Sequence, residues 1–429
     1  MTEHRVVIVG GGAAGTLTTI SLLRQATTES PVAVTLVEKR DRVGPGLAYS
    51  TDDLQHLLNN TVGQMSALVD DPGHFARWLA ARGRPADSHA FVPRAWYGEY
   101  LSDLLASAPV PEGSSLEIVT AEVLDLTETP GGVTALLDDG RSLIADTAVL
   151  AVGNPAPPRR TVAADVPVVN DPWAPGALDR IGVDDRVLLL GTGLTMVDVA
   201  LTLAGSRAGV RLTAVSRHGL LPQRHVDEPV VPRATVPVPA YPLSGLVRTV
   251  REEVRRAGGD WRSVVDGMRP HLPALWERLG PEGRTRFLRH LARHWEVHRH
   301  RMAPQVAVRL DALQGEGLLT VRTTQGIDLT DFDHVVNCTG PQPVGSPGWS
   351  VLVDHLVDRG LARPDSHGLG LDTDVDGALL TETGLSSRRV FTLGYARRGV
   401  SWECTAVPEI RTDAARLARR LHQLQPAPA

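Results

Sequence analysis

Short apolar runs that stop abruptly at glycine set the pattern of this chain. Val6-Val7-Ile8-Val9 gives way to Gly10-Gly11-Gly12-Ala13-Ala14-Gly15, and Val187-Leu188-Leu189-Leu190 gives way to Gly191-Thr192-Gly193-Leu194. A run that is apolar at every position predicts a parallel strand buried on both faces. Beyond each glycine cluster the period changes, and residues 16–24 and 194–200 space their apolar side chains as a helix packed on a sheet does. A second apolar run comes after each helix, at residues 32–38 and 210–215. The chain therefore predicts two strand–turn–helix–strand units of the α/β class, Rossmann-like in order.

Residues 115–123 read as one further strand, leading through a turn at Gly131-Gly132 into a β-hairpin that ends near Asp146. Residues 145–153 and 333–340 are apolar strands closing in Gly153 and Gly340. Between Pro237 and Pro304 the character changes. Pro232, Pro237, Pro239 and Pro242 mark an irregular connection, and residues 246–257, 261–268, 273–279 and 282–300 read as short helices. Such an excursion forms either a lid or substrate wall, or a packing appendage.

Composition narrows the classes. A chain of 429 residues exceeds one ordinary core. With 42% hydrophobic and 22% charged residues it has the balance of a soluble globular protein. A net charge of −5 points neither to nucleic acid nor to an anionic membrane. No apolar run free of glycine and charge nears membrane-spanning length, and Met1 to Arg5 run straight into a strand, so the expected location is cytoplasmic. The 2 cysteines, Cys338 and Cys404, form no CxxC pair, which argues against a disulfide scaffold, a zinc ribbon or a dithiol reductase. Lys39 is the single lysine, so there is no P-loop lysine.

The two glycine turns lead to different strand ends. A tight turn before a helix lets backbone N–H groups meet a pyrophosphate. The first β-α-β unit ends in Glu38, whose carboxylate accepts ribose hydroxyls and repels a 2′-phosphate, which suits the ADP half of FAD, or NAD. The second ends in Ser216-Arg217-His218-Gly219 without an acid; a serine and a guanidinium suit a 2′-phosphate, hence NADPH. Met196 replaces the usual third glycine and is expected to hold the helix farther from its strand or to force repacking. In the insertion, His290, His294 and His298 fall at i, i+4 and i+8 among Arg289, Arg293, Arg299, His300 and Arg301. No acid or thiol pattern completes a zinc set, so no metal is expected. This cationic face holds an anionic substrate, or holds NADP phosphate, or is simply solvated.

Gly44-Pro45-Gly46-Leu47-Ala48-Tyr49-Ser50-Thr51, His56-Leu57-Leu58-Asn59-Asn60, Met65-Ser66, Gly191-Thr192-Gly193-Leu194-Thr195-Met196-Val197-Asp198 and, most specifically, the run from Arg398 to Arg411 resemble bacterial FAD/NAD(P)-binding flavoproteins. That family includes flavin-dependent amino-acid N-hydroxylases of the aspartate, nitrosuccinate-forming type, and ornithine and lysine N-hydroxylases are its wider fold relatives. The resemblance implies a two-dinucleotide-binding flavoprotein with a helical insertion in the NADPH domain. The implied division is 1–160 and 336–429 for FAD, 161–235 and 305–335 for NADPH, and 236–304 for the insertion. It implies an FAD- and NADPH-dependent monooxygenase acting through a flavin C4a-hydroperoxide, N-hydroxylating a small amine or amino acid in secondary metabolism. Its partners would be molecular oxygen and a small-molecule substrate, with an anionic amino acid as one option. An NADPH-dependent flavin reductase or oxidase without oxygen insertion, and a catalytically degenerate nucleotide-binding protein, remain the other readings.

Residue by residue, the resemblance and the turns together assign Gly10, Gly12, Ala13, Ala14, Gly15, Glu38 and Lys39 to the ADP end of FAD. Asn59, Asn60, Gln64 and Met65 would line the isoalloxazine and ribityl region, and Val123 lies on the strand whose backbone holds adenine. Gly153 and Gly340 mark the crossings between domains. Gly191, Thr192, Gly193, Leu194, Ser216 and Arg217 would hold NADPH, while Gly394, Trp402 and Thr405 would cover the flavin from the C-terminal side. Arg293, His294, His298 and Arg301 are the candidate substrate residues. Tyr395 stands where many relatives carry aspartate, so the ribitol contact must come from elsewhere, Asn60 being one source.

Overall fold

In the computed structural model, residues 3–161, 166–233, 242–344 and 348–424 are described. Pro237 and Pro239 of the proline-rich connection lie outside them. The chain divides into two compact units, one of Met1–Ser50, Thr61–Pro155 and Pro343–Ala429, the other of Thr51–Asn60 and Ala156–Gln342.

Strands run in chain order as β1 (His4–Val9), β2 (Val32–Glu38), β3 (Ser115–Thr120), β4 (Val123–Thr129), β5 (Gly132–Leu137), β6 (Ser142–Ala145) and β7 (Thr147–Leu150) in the first unit. The second unit holds β8 (Val168–Val169), β9 (Arg186–Leu190), β10 (Arg211–Ser216), β11 (Leu319–Thr323) and β12 (His334–Asn337), and the chain returns with β13 (Ala378–Leu380) and β14 (Ser386–Thr392). The helices that bear on the two sites are α1 (Ala13–Gln25), α2 (Leu194–Ser206), α3 (Leu243–Arg256), α4 (Trp261–Met268), α5 (Leu272–His290), α6 (Ala292–Arg299), α7 (Pro304–Gly315) and α8 (Val407–Gln423).

The first unit is built on a sheet ordered β13-β14-β7-β1-β2-β3. Its strands from β14 to β3 pair in parallel, and only β13 runs antiparallel. Val6, Val7, Ile8 and Val9 are all buried, as a strand covered on both faces requires. α8 buries Val407, Ile410, Ala414, Leu417, Ala418 and Leu421, a single helical face, and lies against α1. The stretch 115–123, expected as one strand, is divided. β3 belongs to the parallel sheet, while β4 starts a separate antiparallel meander β4-β5-β6. Ala121 and Glu122 make the break, and Ala121 N still bonds Glu38 O at 3.1 Å before the chain leaves the sheet.

The second unit has an all-parallel sheet, β11-β10-β9-β12-β8. Its helical insertion carries a small core of its own: Val264, Met268, Leu272 and Leu275, with Leu246, Val250, Val254 and Trp295 packed against them. The expected helix over 282–300 is two helices. α5 ends at His290, Leu291 leaves helical geometry at φ −123°, ψ −26°, and α6 begins at Ala292. Gly280, at φ 60°, ψ 177° before Pro281, also bends α5. The three histidines therefore share no continuous helix.

Candidate nucleotide-binding sites

Each unit places its glycine turn where the strand order reverses. The chain leaves β1 through α1 for β2 on one side, while β7 lies on the other; it leaves β9 through α2 for β10, with β12 opposite. Ligands in open parallel sheets bind at such points, outside the carboxyl ends of the strands.

In the first unit Gly10 takes φ 103°, and a Cβ there would fall on the carbonyl oxygen of Ala151. Gly15 closes the helix onto the turn, with no room for a Cβ against the carbonyl oxygen of Gly10. Gly12 caps α1 without a side-chain hydrogen bond, and the first turn of α1 contains no acid. Its N-terminal N–H groups suit an anion. Glu38 is buried, its carboxylate accepting from Gly11 N at 2.7 Å and Arg40 N at 3.1 Å. That anchors the acid beside the turn, where ribose hydroxyls would meet it. Lys39 pairs with Glu122 at 2.9 Å.

Two further pieces of the first unit close on this turn. Gly44 N donates to Gly11 O at 2.7 Å, and a Cβ on Gly46 would stand 2.9 Å from Gly12 Cα. In the sequence these two glycines stand out only through the family resemblance; their close spacing soon after β2 was the available signal. From the C-terminal side Gly394, at φ 70°, brings its backbone beside Ala14, whose Cβ would lie 3.7 Å from one built on Gly394. Trp402 is buried with the Arg398 guanidinium 4.4 Å from its ring, and Thr405 is exposed. Cys404 donates to Gly394 O at 3.1 Å, and burial pushes its thiol up to about 12, which suits packing and not redox exchange. Met65 is fully buried, the Gln64 carbonyl accepts from Arg411 Nη1 at 3.4 Å, Val123 opens β4 from a buried position, and Gly153 takes φ 72°.

The second unit repeats the turn closely. Gly191 takes φ 112°, and a Cβ there would fall on the carbonyl oxygen of Cys338. Gly193 caps α2 at φ −87°, ψ −170°, against φ −72°, ψ −171° at Gly12. Met196 leaves the turn in this form, with its own side chain wholly buried at 0% exposure. Thr192 Oγ1 lies 2.9 Å from Ser216 Oγ and 2.6 Å from Leu220 O, and Gly219 N donates to Ser216 Oγ at 3.0 Å. Ser216 thus pins the strand end to the turn. Leu194 opens α2, Gly340 takes φ 80°, and Arg217 and His218 are exposed at the end of β10.

The segment Thr51–Asn60 packs within the second unit. His56, to which the sequence assigned no role, is buried with Nδ1 2.8 Å from Thr51 Oγ1 and Nε2 2.9 Å from Thr202 Oγ1 of α2; Thr202 Oγ1 donates to Asp53 Oδ2 at 2.7 Å. His225 Nε2 donates to Asn59 O at 3.1 Å. Burial, reinforced by the Arg301 charge, pushes His225 down to about 3, so it is a neutral donor at physiological pH. Asn60 is buried, its Nδ2 3.4 Å from Asn59 Oδ1.

The four candidate substrate residues separate into two pairs. Arg301 is buried at 3% exposure and ion-paired with Asp266 inside the insertion. His298 donates to His294 O at 2.7 Å and packs edge-on to Trp261 with ring centroids 4.7 Å apart. Arg293 and His294 instead lie near the glycine turn: Arg293 Nη2 would be 3.8 Å from a Cβ on Gly193, and the His294 ring lies 6.2 Å from that of His218. Among the described residues no group of three or more His, Cys, Asp or Glu is placed to hold a metal ion. None of the described helices is long and apolar enough to cross a membrane.

Comparison with known proteins agrees with this geometry. Residues 7–155 match a family described as FAD-NAD(P)-binding. The uncharacterized protein YdhS of Escherichia coli (strain K12) is 25% identical over 311 residues, 61% of this chain; the match spans 56%, little more than half, of that protein's length. An ornithine N-hydroxylase of Kutzneria sp. 744 superposes with a TM-score of 0.64 at 15% identity, covering 98% of this chain and 99% of that one. An L-lysine 6-monooxygenase of Pseudomonas syringae gives 0.62 at 16% identity, covering 99% and 100%. The fold is that of the two-nucleotide flavoprotein monooxygenases. The ornithine hydroxylase of Pseudomonas aeruginosa, at 0.61 and 14% identity over 99% and 100%, shares it.

Proposed function

We propose that the protein is an FAD- and NADPH-dependent monooxygenase that N-hydroxylates a small amine or amino acid. The observation that carries this reading is the pair of near-identical glycine turns with opposite ribose ends, Glu38 on one and Ser216-Arg217 on the other. In this reading the first unit holds FAD through Gly10, Gly12, Ala13, Ala14, Gly15, Glu38 and Gly394, and the second holds NADPH through Gly191, Thr192, Gly193, Ser216 and Arg217. Bound flavin supplies hydride acceptance from NADPH and, once reduced, activation of oxygen for transfer of one atom to the amine. The chain's own residues bind and orient. Uncapped helix ends take the pyrophosphates, Glu38 takes ribose hydroxyls, and Arg217 selects a 2′-phosphate by charge. Cys338 and Cys404 are buried and their thiols raised, so neither serves as a redox relay. The substrate nitrogen must arrive unprotonated, which desolvation or neighbouring cations favour.

Among solved proteins of this fold, those named above act on ornithine and lysine, while the sequence resemblance points to aspartate; all three are therefore test substrates. The FAD-loaded protein with NADPH and each amine is expected to consume one NADPH and one oxygen per hydroxylamine formed, followed by mass spectrometry. NADPH oxidation that returns all oxygen as hydrogen peroxide with every amine would replace this reading by a flavin oxidase. Purified protein that takes up no FAD would replace it by a degenerate nucleotide-binding protein.

A further inference from the structure

We infer that Arg293, delivered by the helical insertion, is a pyrophosphate-binding residue for the nicotinamide dinucleotide, so that the insertion forms one side of the cofactor site. The inference rests on the reading that the mid-chain glycine turn takes NADPH. The break at Leu291 ends α5 and lets α6 start afresh at Ala292, one residue before Arg293. Arg293 thereby lies in the first turn of α6, and the atom that approaches Gly193 is its Nη2. Gly193 is the N-cap of α2, which has no side-chain cap and no acid in its first turn. A dinucleotide pyrophosphate belongs at that helix end.

The guanidinium is already oriented. Glu296 Oε2 accepts from Arg293 Nη1 at 3.2 Å, leaving Nη2 as the edge nearest the turn. Both side chains of that pair are about 30% exposed, 29% and 31%, so the charge is neither sequestered nor fully solvated. Arg301, by contrast, is buried, with its Nη2 ion-paired to Asp266. The next residue, His294, has its ring 6.2 Å from that of His218, and Arg217 beside His218 is exposed at the end of β10. Asp198, buried in the second turn of α2, and Glu296 are the acids nearest this cluster along its own elements. A guanidinium facing an uncapped helix end gives the phosphates donors from two sides, which lysine would reproduce only as a point charge.

Calorimetric titration of the FAD-loaded protein with NADP⁺ and with NAD⁺ tests this. Arg293→Ala should weaken both ligands by about tenfold, since both carry the pyrophosphate. Arg293→Lys should recover part of the loss. Glu296→Gln, which frees the guanidinium, should tighten both by about two- to threefold, a gain that misfolding cannot mimic. Arg217→Ala should weaken NADP⁺ alone. Unchanged affinities in Arg293→Ala and Glu296→Gln, with normal NADP⁺ binding by the parent protein, overturn the inference and leave the functional reading intact. A loss confined to NADP⁺ in Arg293→Ala also overturns it, because the contact would then be to the 2′-phosphate. A parent protein that binds no NADP⁺ sinks the functional reading, and the inference with it.

Discussion

The two glycine turns share a backbone and differ in everything around it. In both, the leading glycine has positive φ, 103° and 112°, and its N–H bonds the second strand at 2.8 Å, to Val37 O in one and Val215 O in the other. In both, the crossing strand returns a 2.8 Å bond, Ala151 N to Val9 O and Cys338 N to Leu190 O. Around the first turn the third glycine packs backbone on backbone, an acid is locked to Gly11, and the neighbouring loop is itself glycine. Around the second, a buried methionine takes the third position, hydroxyls replace the acid, and an arginine stands near the cap. The turn is thus a backbone property, while the two turns differ in the side chains that flank them.

The largest test exchanges the two. Gly10→Ala forces a side chain into a left-handed conformation and onto a carbonyl, so flavin should be lost by more than about 100-fold in affinity while NADP⁺ binding persists. Gly191→Ala should give the mirror result, flavin retained (read from the visible spectrum) and NADP⁺ binding lost in calorimetry. Loss of both ligands in either variant would mean that the turns are not independent. Next in size, Met196→Gly restores the third glycine but empties a buried site. It should lower unfolding free energy by about 3–5 kcal/mol in denaturant titration, with NADP⁺ affinity changed less than about twofold. A tighter NADP⁺ complex would show instead that the methionine strains the turn. Arg217→Ala should cut the preference for NADPH over NADH by about tenfold in kcat/KM. A smaller effect comes from His225. Its pKa is depressed in the folded chain to about 3, so the unfolded chain binds its proton first as pH falls below about 6.5. The stability present above pH 6.5 is therefore lost progressively toward pH 3. Between about pH 7 and 5 the parent Tm should fall by roughly 2–4 °C more than that of His225→Gln; equal slopes would remove His225 from the account.

Much of this was legible along the chain because the information is local. Strand β1, the turn, α1 and Glu38 succeed one another within the first 38 residues, and continuous burial leaves the same apolar signature wherever it occurs. The α4 helix fills the expected range of 261–268, and the structure shows Asp260 capping it by accepting from Ser263 N. The division of residues 115–123 was not legible, because strand-forming residues flank Ala121 and Glu122 on both sides and only the partner strands decide where one sheet ends. The break at Leu291 was hidden for a similar reason: leucine is a good helix former, so nothing in its propensity announces the interruption. Nor does spacing say which cations are buried in ion pairs. Arg293 and Arg301 look alike in the sequence, and Asp266, far from either along the chain, is what separates them.

The ten residues from Thr51 to Asn60 reach the second unit from inside the first, and they cover α2 through His56, Asp53 and Thr202. Neither half can therefore be excised as one contiguous fragment. A truncation beginning at Ala156 would strip His56 and its partner Thr51 from α2, and one ending at Pro155 would leave that decapeptide without a surface to rest on. The two units are threaded through one another along the chain, so each is complete only when both are present.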